Sequence, residues 1–376
     1  MGDPLGLRAA ADVPAGYPTG VVLVTLYVLP EPRKGRAAVL LHHDADQVRA
    51  AVSPAEAVAL LGDALRAGLD PAADPPRTSS PLGGGELLTM PASSGRCAGV
   101  KLAVVAPGNA ALGLPRIQGL YVLFDGETLA PVATLDGPAL TGLRTSATSV
   151  AAVLPALRRG GAAAGPLRAV VVGAGVQGRA HAEVLAQVLG QDGERGLGRV
   201  DVLVRRPEAH SPSAVLPDGA LGSVLGLGTP AAASALAAAD VVVCATSAAT
   251  PLFDSALLRD DVVVVAVGSH ERDRRELDDA LLGRATVVVE DLATALREAG
   301  DVVMAVEAGA LRVEELVTMA DLVGGRVPVP AGALVFKGTG MAWQDLVVAE
   351  AVHRRVAARV SAQAAAQAVG AGAAAS

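Results

Sequence analysis

The chain has 376 residues, too many for one ordinary core, so two domains are expected. Apolar residues make up 51% of it, enough to bury sizeable cores, and the net charge is −7. An acidic chain with only 2% aromatic residues lacks surfaces that neutralise phosphates and stack on bases, which excludes a nucleic-acid-binding function.

Two long uncharged stretches, at 13–30 and 219–239, are interrupted by proline or are rich in small residues, so neither predicts a membrane span. Residues 1–10 lack a basic segment that leads into an apolar one, so no secretory signal is expected. Cys97 and Cys244 have no redox or metal-ligand spacing, and we interpret both as buried, inert thiols. A cytoplasmic location is therefore expected.

The first elements in chain order are two apolar runs, at 21–29 and 38–41. The run at 21–29 predicts a buried strand. Ser53 and Pro54 then predict the start of a helix, with the serine as N-cap and the proline at the first helical position. Apolar residues with helical spacing follow, and Gly68 is suited to the end of this helix.

Short apolar runs at 100–106, 119–125 and 132–135 alternate with turns rich in proline, glycine, asparagine and aspartate. They predict an antiparallel or mixed sheet between residues 87 and 136. A helix of small residues is predicted at 141–157, with Arg144 in its first turn.

After a glycine- and alanine-rich linker at 160–166, apolar strands alternate with helix-length segments. Strands are predicted at 169–172, 200–204, 240–245, 262–267 and 286–289, which is typical of a parallel sheet buried on both faces. A mixed helical region at 301–322, an apolar run at 331–336 and a helix at 344–360 complete the chain.

Three glycines separate the first of these strands from the following helix. Gly173 permits a tight turn, Gly175 leaves the backbone open to a pyrophosphate, and Gly178 lets the helix pack on the strand. Val176 and Gln177 lie at the start of that helix, whose free N–H groups attract phosphate. This context predicts a Rossmann dinucleotide-binding domain; the alternative is a purely structural glycine turn.

The second strand of this domain is followed by Arg205 and Arg206, not by the acid that binds the ribose 2′-hydroxyl of NAD. Arginine accommodates a 2′-phosphate. We therefore expect NADP(H) to be preferred, with NAD(H) possible, unless the pair only solvates a loop.

Several motifs follow one another in order: Met90-Pro91-Ala92, Pro107-Gly108-Asn109, and the stretches 99–102, 113–119, 140–149, 266–268, 276–278 and 336–345. Together they resemble the ornithine cyclodeaminase/mu-crystallin family over about residues 38–360. The resemblance implies an α/β homodimer whose Rossmann domain is inserted in a second α/β domain for substrate binding and dimerisation. The expected division is 1–148 for the first part of the substrate domain, 149–328 for the Rossmann domain, and 329–376 for the segment that returns to the substrate domain.

The family's carboxylate-binding pattern falls on Arg77, Lys101 and Arg144. Lys101 is unusual by itself, because a charge within an apolar strand needs a partner. Arg144 is unusual as well, because a cation is disfavoured in the first turn of a helix. The resemblance implies that all three bind a substrate carboxylate, that Lys101 also acts in catalysis, and that Thr246, Val267 and Gly268 contact the cofactor. Ordinary intramolecular ion pairing is the alternative for the three cations.

Two positions depart from the pattern of the cyclodeaminases. An acid expected two residues before Met90 is replaced by Leu88, with Glu86 farther along the same strand face, and an expected aspartate falls near Ala248. Loss of these acids removes groups needed for ornithine's amines. The predicted function is NAD(P)H-dependent reduction of a small 2-imino acid, a cyclic ketimine, or a 2-oxo acid plus amine to an amino acid.

Two alternatives stay open: an ornithine cyclodeaminase that forms proline and ammonia with catalytic NAD, and a non-catalytic NADPH- or small-ligand-binding protein. His181 is interpreted as a capping or packing residue of the cofactor helix. His42, His43 and His270 lack metal-ligand spacing, so no metal is expected.

Overall fold

The computed structural model describes residues 40–159, 165–190 and 195–374. The strand predicted at 21–29 lies outside these ranges. Within them the chain forms a six-stranded and an eight-stranded sheet. None of the helices in these ranges is long and apolar enough to cross a membrane.

The first sheet is mixed, as predicted, with strand order β1-β6-β5-β4-β3-β2. Only β1 and β6 pair in parallel. The strands are β1 (Leu41–His43), β2 (Thr78–Leu82), β3 (Gly85–Ser93), β4 (Cys97–Val105), β5 (Ile117–Asp125) and β6 (Pro131–Asp136). Cys97 is only partly buried, contrary to prediction, because it begins β4 beside a turn, whereas Cys244 is buried.

Helices α1 (Ala45–Ala51) and α2 (Pro54–Arg66) follow β1. The predicted start of α2 is confirmed, since Ser53 accepts a hydrogen bond from the backbone N–H of Glu56 and the Glu56 side chain accepts one from Ser53. The predicted end is confirmed as well, because Gly68 follows the helix with a φ of +95°.

Helix α3 (Gly137–Leu157) begins earlier than predicted. Asp136 is its N-cap and accepts a hydrogen bond from Ala139 N at 2.7 Å, and a proline lies in its first turn. Arg144 therefore lies in the third turn, not the first, so the argument from the helix dipole does not apply to it. Its unusual property is burial: only 5% of Arg144 is exposed.

The second sheet is wholly parallel, in the order β13-β12-β14-β11-β10-β7-β8-β9. Its strands are β7 (Leu167–Val172), β8 (Leu197–Val204), β9 (Val224–Gly226), β10 (Val241–Cys244), β11 (Val263–Ala266), β12 (Thr286–Val289), β13 (Val317–Thr318) and β14 (Leu334–Lys337). Alternate residues of β7 enter two separate cores, so both faces are buried, as the continuous apolar runs predicted. This is the expected Rossmann domain.

The helices of this domain are α4 (Val176–Gly190), α5 (Pro212–Val215), α6 (Pro230–Ala237), α7 (Asp279–Arg284), α8 (Leu292–Glu298), α9 (Gly300–Glu307) and α10 (Met319–Val323). The region predicted as helical at 301–322 also contains β13, a two-residue strand that pairs with β12. Such a short strand leaves no periodicity to recognise.

The last strand differs most from the expected domain division. β14 lies between β11 and β12 and pairs in parallel with both, so the chain belongs to the Rossmann sheet up to Lys337. The boundary predicted at 328/329 is corrected accordingly, because this apolar strand fills a central position between two other apolar strands. Helix α11 (Ala342–Ala374) then returns to pack on β3, β4 and α3. At the other predicted boundary, 148/149, α3 is continuous.

Candidate active site

A cleft of about 480 Å³ lies between the two sheets. One wall comes from β3, β4 and α3, and the other from the carboxyl ends of the Rossmann strands. Of the predicted site residues, the cleft is lined by Arg77, Lys101, Arg144, Gly175, Val176, Gln177, Thr246, Val267 and Gly268. The fold thus brings most of the two predicted sites to one cavity.

The glycine turn has the geometry that a dinucleotide requires. Gly173 has a φ of +109°, and a Cβ there would lie 2.6 Å from the carbonyl oxygen of Ala245. A Cβ at Gly178 would lie 1.9 Å from the oxygen of Gly173, so the fold itself requires both glycines. A Cβ at Gly175 would meet nothing within 4 Å. The open space in front of the N-terminus of α4 therefore fits a pyrophosphate.

A buried carboxylate holds the ends of two Rossmann strands beside this turn. Glu276 accepts hydrogen bonds from Thr246 N at 2.7 Å, from Thr246 Oγ1 at 2.8 Å and from Gly268 N at 2.7 Å. Burial raises the pKa of the Glu276 carboxyl, while Lys337 and these hydrogen bonds oppose the rise. The predicted cofactor contacts Thr246 and Gly268 are thereby fixed in place.

Arg205 and Arg206 are exposed just beyond the end of β8 and do not line the cleft. The acid nearest to them on that strand is Asp201. It is occupied within the protein, because it accepts hydrogen bonds from Arg199 Nε at 2.7 Å and from Ser223 N at 2.9 Å. Their predicted contact with a 2′-phosphate stays a prediction.

Lys101 and Arg144 meet at one buried carboxylate. Lys101 lies in the middle of β4, and its Nζ is 3.6 Å from Asp345 Oδ1. Arg144 Nε is 3.2 Å from the same oxygen. Asp345, near the start of α11, is fully buried. The charge of Lys101 within this apolar strand is thus balanced in part by an acid from helix α11.

The position of the Arg144 guanidinium is further defined by a chain of hydrogen bonds. Its Nη1 donates to Gln344 Oε1 at 2.7 Å, and Gln344 Nε2 donates to Glu290. Glu290 also accepts from the backbone N–H groups of Thr339 and Gly340, at 2.8 and 2.9 Å. The loop after β14 is therefore coupled to the guanidinium.

Arg77 reaches the same cavity from the segment before β2. Its Nη2 donates to the carbonyl oxygen of Thr339 at 3.0 Å, and it forms an ion pair with Glu298. Arg77 thus has a different acid as its partner from the one that Lys101 and Arg144 share. Ion pairing and substrate binding, the two alternatives raised by the sequence, are both compatible with this placement.

Lys101 is the cation whose charge depends on its surroundings. Burial and the neighbouring Arg144 lower the pKa of Lys101 from 10.5 to about 7, although Asp345 raises it. Near neutral pH the amine is therefore present in both protonated and neutral forms. Such a group can donate a proton or accept one.

The strand register defines the wall beyond Lys101. Leu88 and Ala103 face each other across β3 and β4, and both line the cleft. Glu86 lies one row farther along β3 and accepts a hydrogen bond from Ser79 Oγ at 2.5 Å. Ala248 is not part of the lining. The row next to Lys101 is consequently apolar.

His181 is fully buried and packs, as predicted, against α3. Burial lowers its pKa to about 4, so the ring is neutral at pH 7. With Nδ1 donating to Gln177 O at 2.7 Å, Nε2 accepts from Ser149 Oγ at 3.0 Å. His181 therefore supports the cleft wall from behind. Among the residues that the structure describes, no cluster of His, Cys, Asp or Glu side chains could hold a metal ion.

Four polar residues of the site were not assigned roles from the sequence: Glu276, Glu290, Gln344 and Asp345. Two of them belong to the motif at 336–345, and a polar pair directly before the apolar run 346–349 of this helix was the available signal. Glu290 follows directly after an apolar strand, a position at which polar residues often serve a site in parallel sheets.

The ornithine cyclodeaminase/mu-crystallin family model matches residues 38–359. A Delta(1)-pyrroline-2-carboxylate/Delta(1)-piperideine-2-carboxylate reductase of Azospirillum brasilense is 33% identical over 286 residues, which cover 76% of this chain and 86% of the relative. A probable ornithine cyclodeaminase from Bordetella pertussis Tohama I has a TM-score of 0.71 and 30% identity, and covers 85% of this chain and 98% of its own.

An archaeal alanine dehydrogenase dimer with bound NAD has a TM-score of 0.72 and 25% identity, and covers 85% of this chain and 97% of its own. These similarities span both sheets and the cleft between them. The family resemblance inferred from the motifs is confirmed. The chain belongs to the ornithine cyclodeaminase/mu-crystallin family.

Proposed function

We propose that this protein is an NAD(P)H-dependent reductase that converts a cyclic ketimine carboxylate, or a small 2-imino acid formed from a 2-oxo acid and an amine, to an amino acid. One observation carries the proposal: the buried Lys101 and Arg144, together with the part-buried Arg77, line the same cleft as a dinucleotide-type glycine turn. The reductase similarity of the Azospirillum brasilense relative supports this choice.

The cationic cluster is suited to a carboxylate. Lys101 and Arg144 share Asp345, so two positive charges are balanced by one negative charge. A substrate carboxylate supplies the missing anion, and a guanidinium binds it with directed N–H groups. Arg77 lines the same cleft and adds positive potential there while it remains paired with Glu298.

The Rossmann turn is suited to hold the dinucleotide. Backbone N–H groups of Val176 and Gln177 would face the pyrophosphate across the open space at Gly175. Thr246 and Gly268, held by Glu276, would define the nicotinamide end together with Val267. When bound, the reduced nicotinamide supplies the hydride that saturates the C=N carbon. We propose NADP(H) as the preferred form because of Arg205 and Arg206.

Reduction of C=N also requires a proton on nitrogen, and Lys101 is the group placed to provide it. Its amine lines the cleft, and its pKa of about 7 makes both proton donation and recovery possible near neutral pH. The substrate carbon gains the hydride, the substrate nitrogen gains the proton from Nζ, and the amino acid leaves. Lys101 regains a proton from solvent before the next reduction.

The wall next to Lys101 favours reduction over cyclodeamination. Leu88 and Ala103 present apolar surface next to Lys101, whereas Glu86, the carboxylate of β3 that also lines the cleft, lies one row farther away and accepts a hydrogen bond from Ser79. A five- or six-membered ring gains from the same surface. Ornithine is therefore expected to be a poor substrate.

We also propose that the protein is a homodimer. Four large apolar side chains are exposed near the start of β5: Leu112, Leu114, Ile117 and Leu120. Large apolar side chains exposed within one short stretch of the chain are characteristic of an interface. Light scattering should give about twice the chain mass of 37.4 kDa; a mass of one chain at micromolar concentration would contradict the proposal.

The decisive experiment compares two mixtures. The first holds the purified enzyme with a cyclic ketimine carboxylate and stoichiometric NADPH, and the second holds it with ornithine and catalytic NAD. We expect NADPH oxidation in the first and little proline or ammonia in the second. Fast ornithine turnover without NADPH oxidation would identify a cyclodeaminase instead.

Two variants test the assigned roles in that assay. Lys101→Ala and Arg144→Ala should each reduce transition-state stabilisation by about 2–5 kcal/mol, the scale for stripping one partner from a desolvated charge pair. Both should bind NADPH as the parent protein does, because neither residue belongs to the glycine turn. Unchanged kcat/KM in both variants would remove the cluster from the mechanism.

A further inference from the structure

One carboxylate oxygen serves two buried cations. Asp345 Oδ1 lies 3.6 Å from Lys101 Nζ and 3.2 Å from Arg144 Nε, while Asp345 Oδ2 is buried without a hydrogen-bond partner. Asp345 is fully buried, and the two cations are about 95% buried. Desolvation makes this imbalance of charge expensive.

The other groups around Lys101 leave the imbalance in place. Arg77 is paired with Glu298, and Asp74 accepts the backbone N–H of Trp343 at 2.6 Å. Tyr121 faces Lys101 in the strand register but carries no charge, since burial raises its pKa well above 10.0. Gln344, which also contacts Arg144, is neutral, and the buried Glu290 beyond it accepts hydrogen bonds from Gln344 and from the backbone N–H groups of Thr339 and Gly340.

Only one of the two cations can lose its charge. The guanidinium of an arginine stays protonated in proteins, whereas the amine of a lysine can release a proton when it is buried. The surplus charge of the free cluster is therefore relieved at Lys101. A carboxylate that enters the cleft supplies the second anion, and Lys101 then takes up a proton from solvent.

We propose that Asp345 is a positioning residue that couples proton uptake by Lys101 to the binding of a carboxylate ligand. The inference rests on the proposed function for the class of ligand. It implies that Lys101 takes up a proton from solvent each time a substrate carboxylate binds. In turnover the Nζ–H bond breaks, an N–H bond forms on the substrate nitrogen, and NAD(P)H is oxidised as its hydride reduces the carbon.

Calorimetry measures this coupling directly. The protein is saturated with NADP+ and titrated with pyrrole-2-carboxylate, whose ring nitrogen is not basic, in buffers of different ionisation enthalpy. From a pKa of about 7, about nine-tenths of a proton should be taken up at pH 8 and about one-tenth at pH 6. Lys101→Met should abolish the uptake at pH 8. No uptake in the parent protein at pH 8 would overturn the proposal.

A second measurement needs no ligand and no activity. The chain contains three lysines, Lys34, Lys101 and Lys337, so ε-13C-lysine NMR can resolve each one. Asp345→Asn should lower the titration midpoint of Lys101 by at least about one pH unit, a tenfold change, because an anion within 4 Å is lost. Arg144→Gln should raise it, because the neighbouring cation is lost. Lys337, on the other sheet, is the internal reference.

The two variants should shift the Lys101 midpoint in opposite directions. A general loss of structure would shift it in the same direction in both, so the two causes can be told apart. Identical Lys101 midpoints in the parent protein and the Asp345→Asn variant would overturn the role of Asp345. If the midpoints shift as expected but no ketimine is reduced, the proposed reaction is wrong while the coupling stands. The two failures are thus distinguishable.

Discussion

Substitution of Gly340 by alanine adds one methyl group beside Arg144 and tests the position of its guanidinium in the cleft. Its φ is +84°, and a Cβ there would lie 2.7 Å from Nη1 and 3.1 Å from Nη2 of Arg144. The Gly340→Ala change therefore pushes the guanidinium away from the loop. Nothing in the glycine turn is touched.

The size of the effect follows from the distances. An ordinary contact of about 3.5 Å requires the guanidinium to move by about 0.8 Å. A shift of that size breaks the 2.7 Å hydrogen bond from Nη1 to Gln344. Loss of a hydrogen bond to a charged group amounts to about 1.5–3 kcal/mol, so kcat/KM for the imino acid should fall by about 10- to 150-fold.

A second glycine separates this effect from backbone strain. Gly325 has a φ of +71°, and a Cβ there would meet nothing within 4 Å. Gly340→Ala and Gly325→Ala should therefore share a backbone strain of about 1–2 kcal/mol, and Gly340→Ala should lose additional thermal stability because it also breaks the hydrogen bond from Arg144 to Gln344. Only Gly340→Ala should raise the KM for the imino acid, with an unchanged Kd for NADPH. Equal kinetics in the two variants would refute the reasoning.

Three further changes test the cofactor site and the cluster near the loop. Gly175→Val should abolish NADPH binding in calorimetry without lowering Tm, because its Cβ points into open space; retained binding would contradict the pyrophosphate assignment. Replacing Arg205 and Arg206 by serine should weaken the binding of NADPH but not that of NADH. In the parent protein, the preference for NADPH over NADH should decrease at high salt. Equal affinities of the parent protein for the two dinucleotides would argue against a 2′-phosphate contact. Burial raises the pKa of Asp74 from 3.8 to about 6, so stability falls as the pH rises from about 4 to about 6, and the full loss is present above that range. Asp74→Asn keeps an acceptor for Trp343 N and removes this loss. Its stability advantage over the parent should be about 1 kcal/mol larger at pH 8 than at pH 5, after allowance for the partial exposure of Asp74. Denaturant titrations at both pH values measure this advantage, and an equal advantage at both would refute the shift.

Local signals in the sequence predicted the parts of the fold that depend on neighbouring residues. Ser53 and Pro54 begin α2, and the glycines around Gly175 form the turn between β7 and α4. Their chemistry acts within one turn of the chain, so pattern and structure coincide. The start of α3 was missed because Gly137 and Pro138 were read as a turn instead of a first helical turn capped by Asp136.

The interior of the site was less accessible to prediction. Lys101 and Arg144 stand out as charges among apolar or small residues, but their partner Asp345 is 201 positions from Arg144. Proximity over such a separation is decided by how α11 packs on β4, and no local pattern encodes it. The position of β14 between β11 and β12 was hidden for the same reason, since any of several parallel orders suits an apolar strand.

The placement of β14 also bears on how the protein is made. Strands β11 and β12 are synthesised before Leu334–Lys337, so during translation each has one unpaired edge where β14 will later lie. Open apolar edges invite pairing with other chains. A nascent or truncated chain that ends before β14 should therefore be prone to aggregation and to capture by chaperones, and the Arg144–Asp345 contact can form only after Asp345 has left the ribosome.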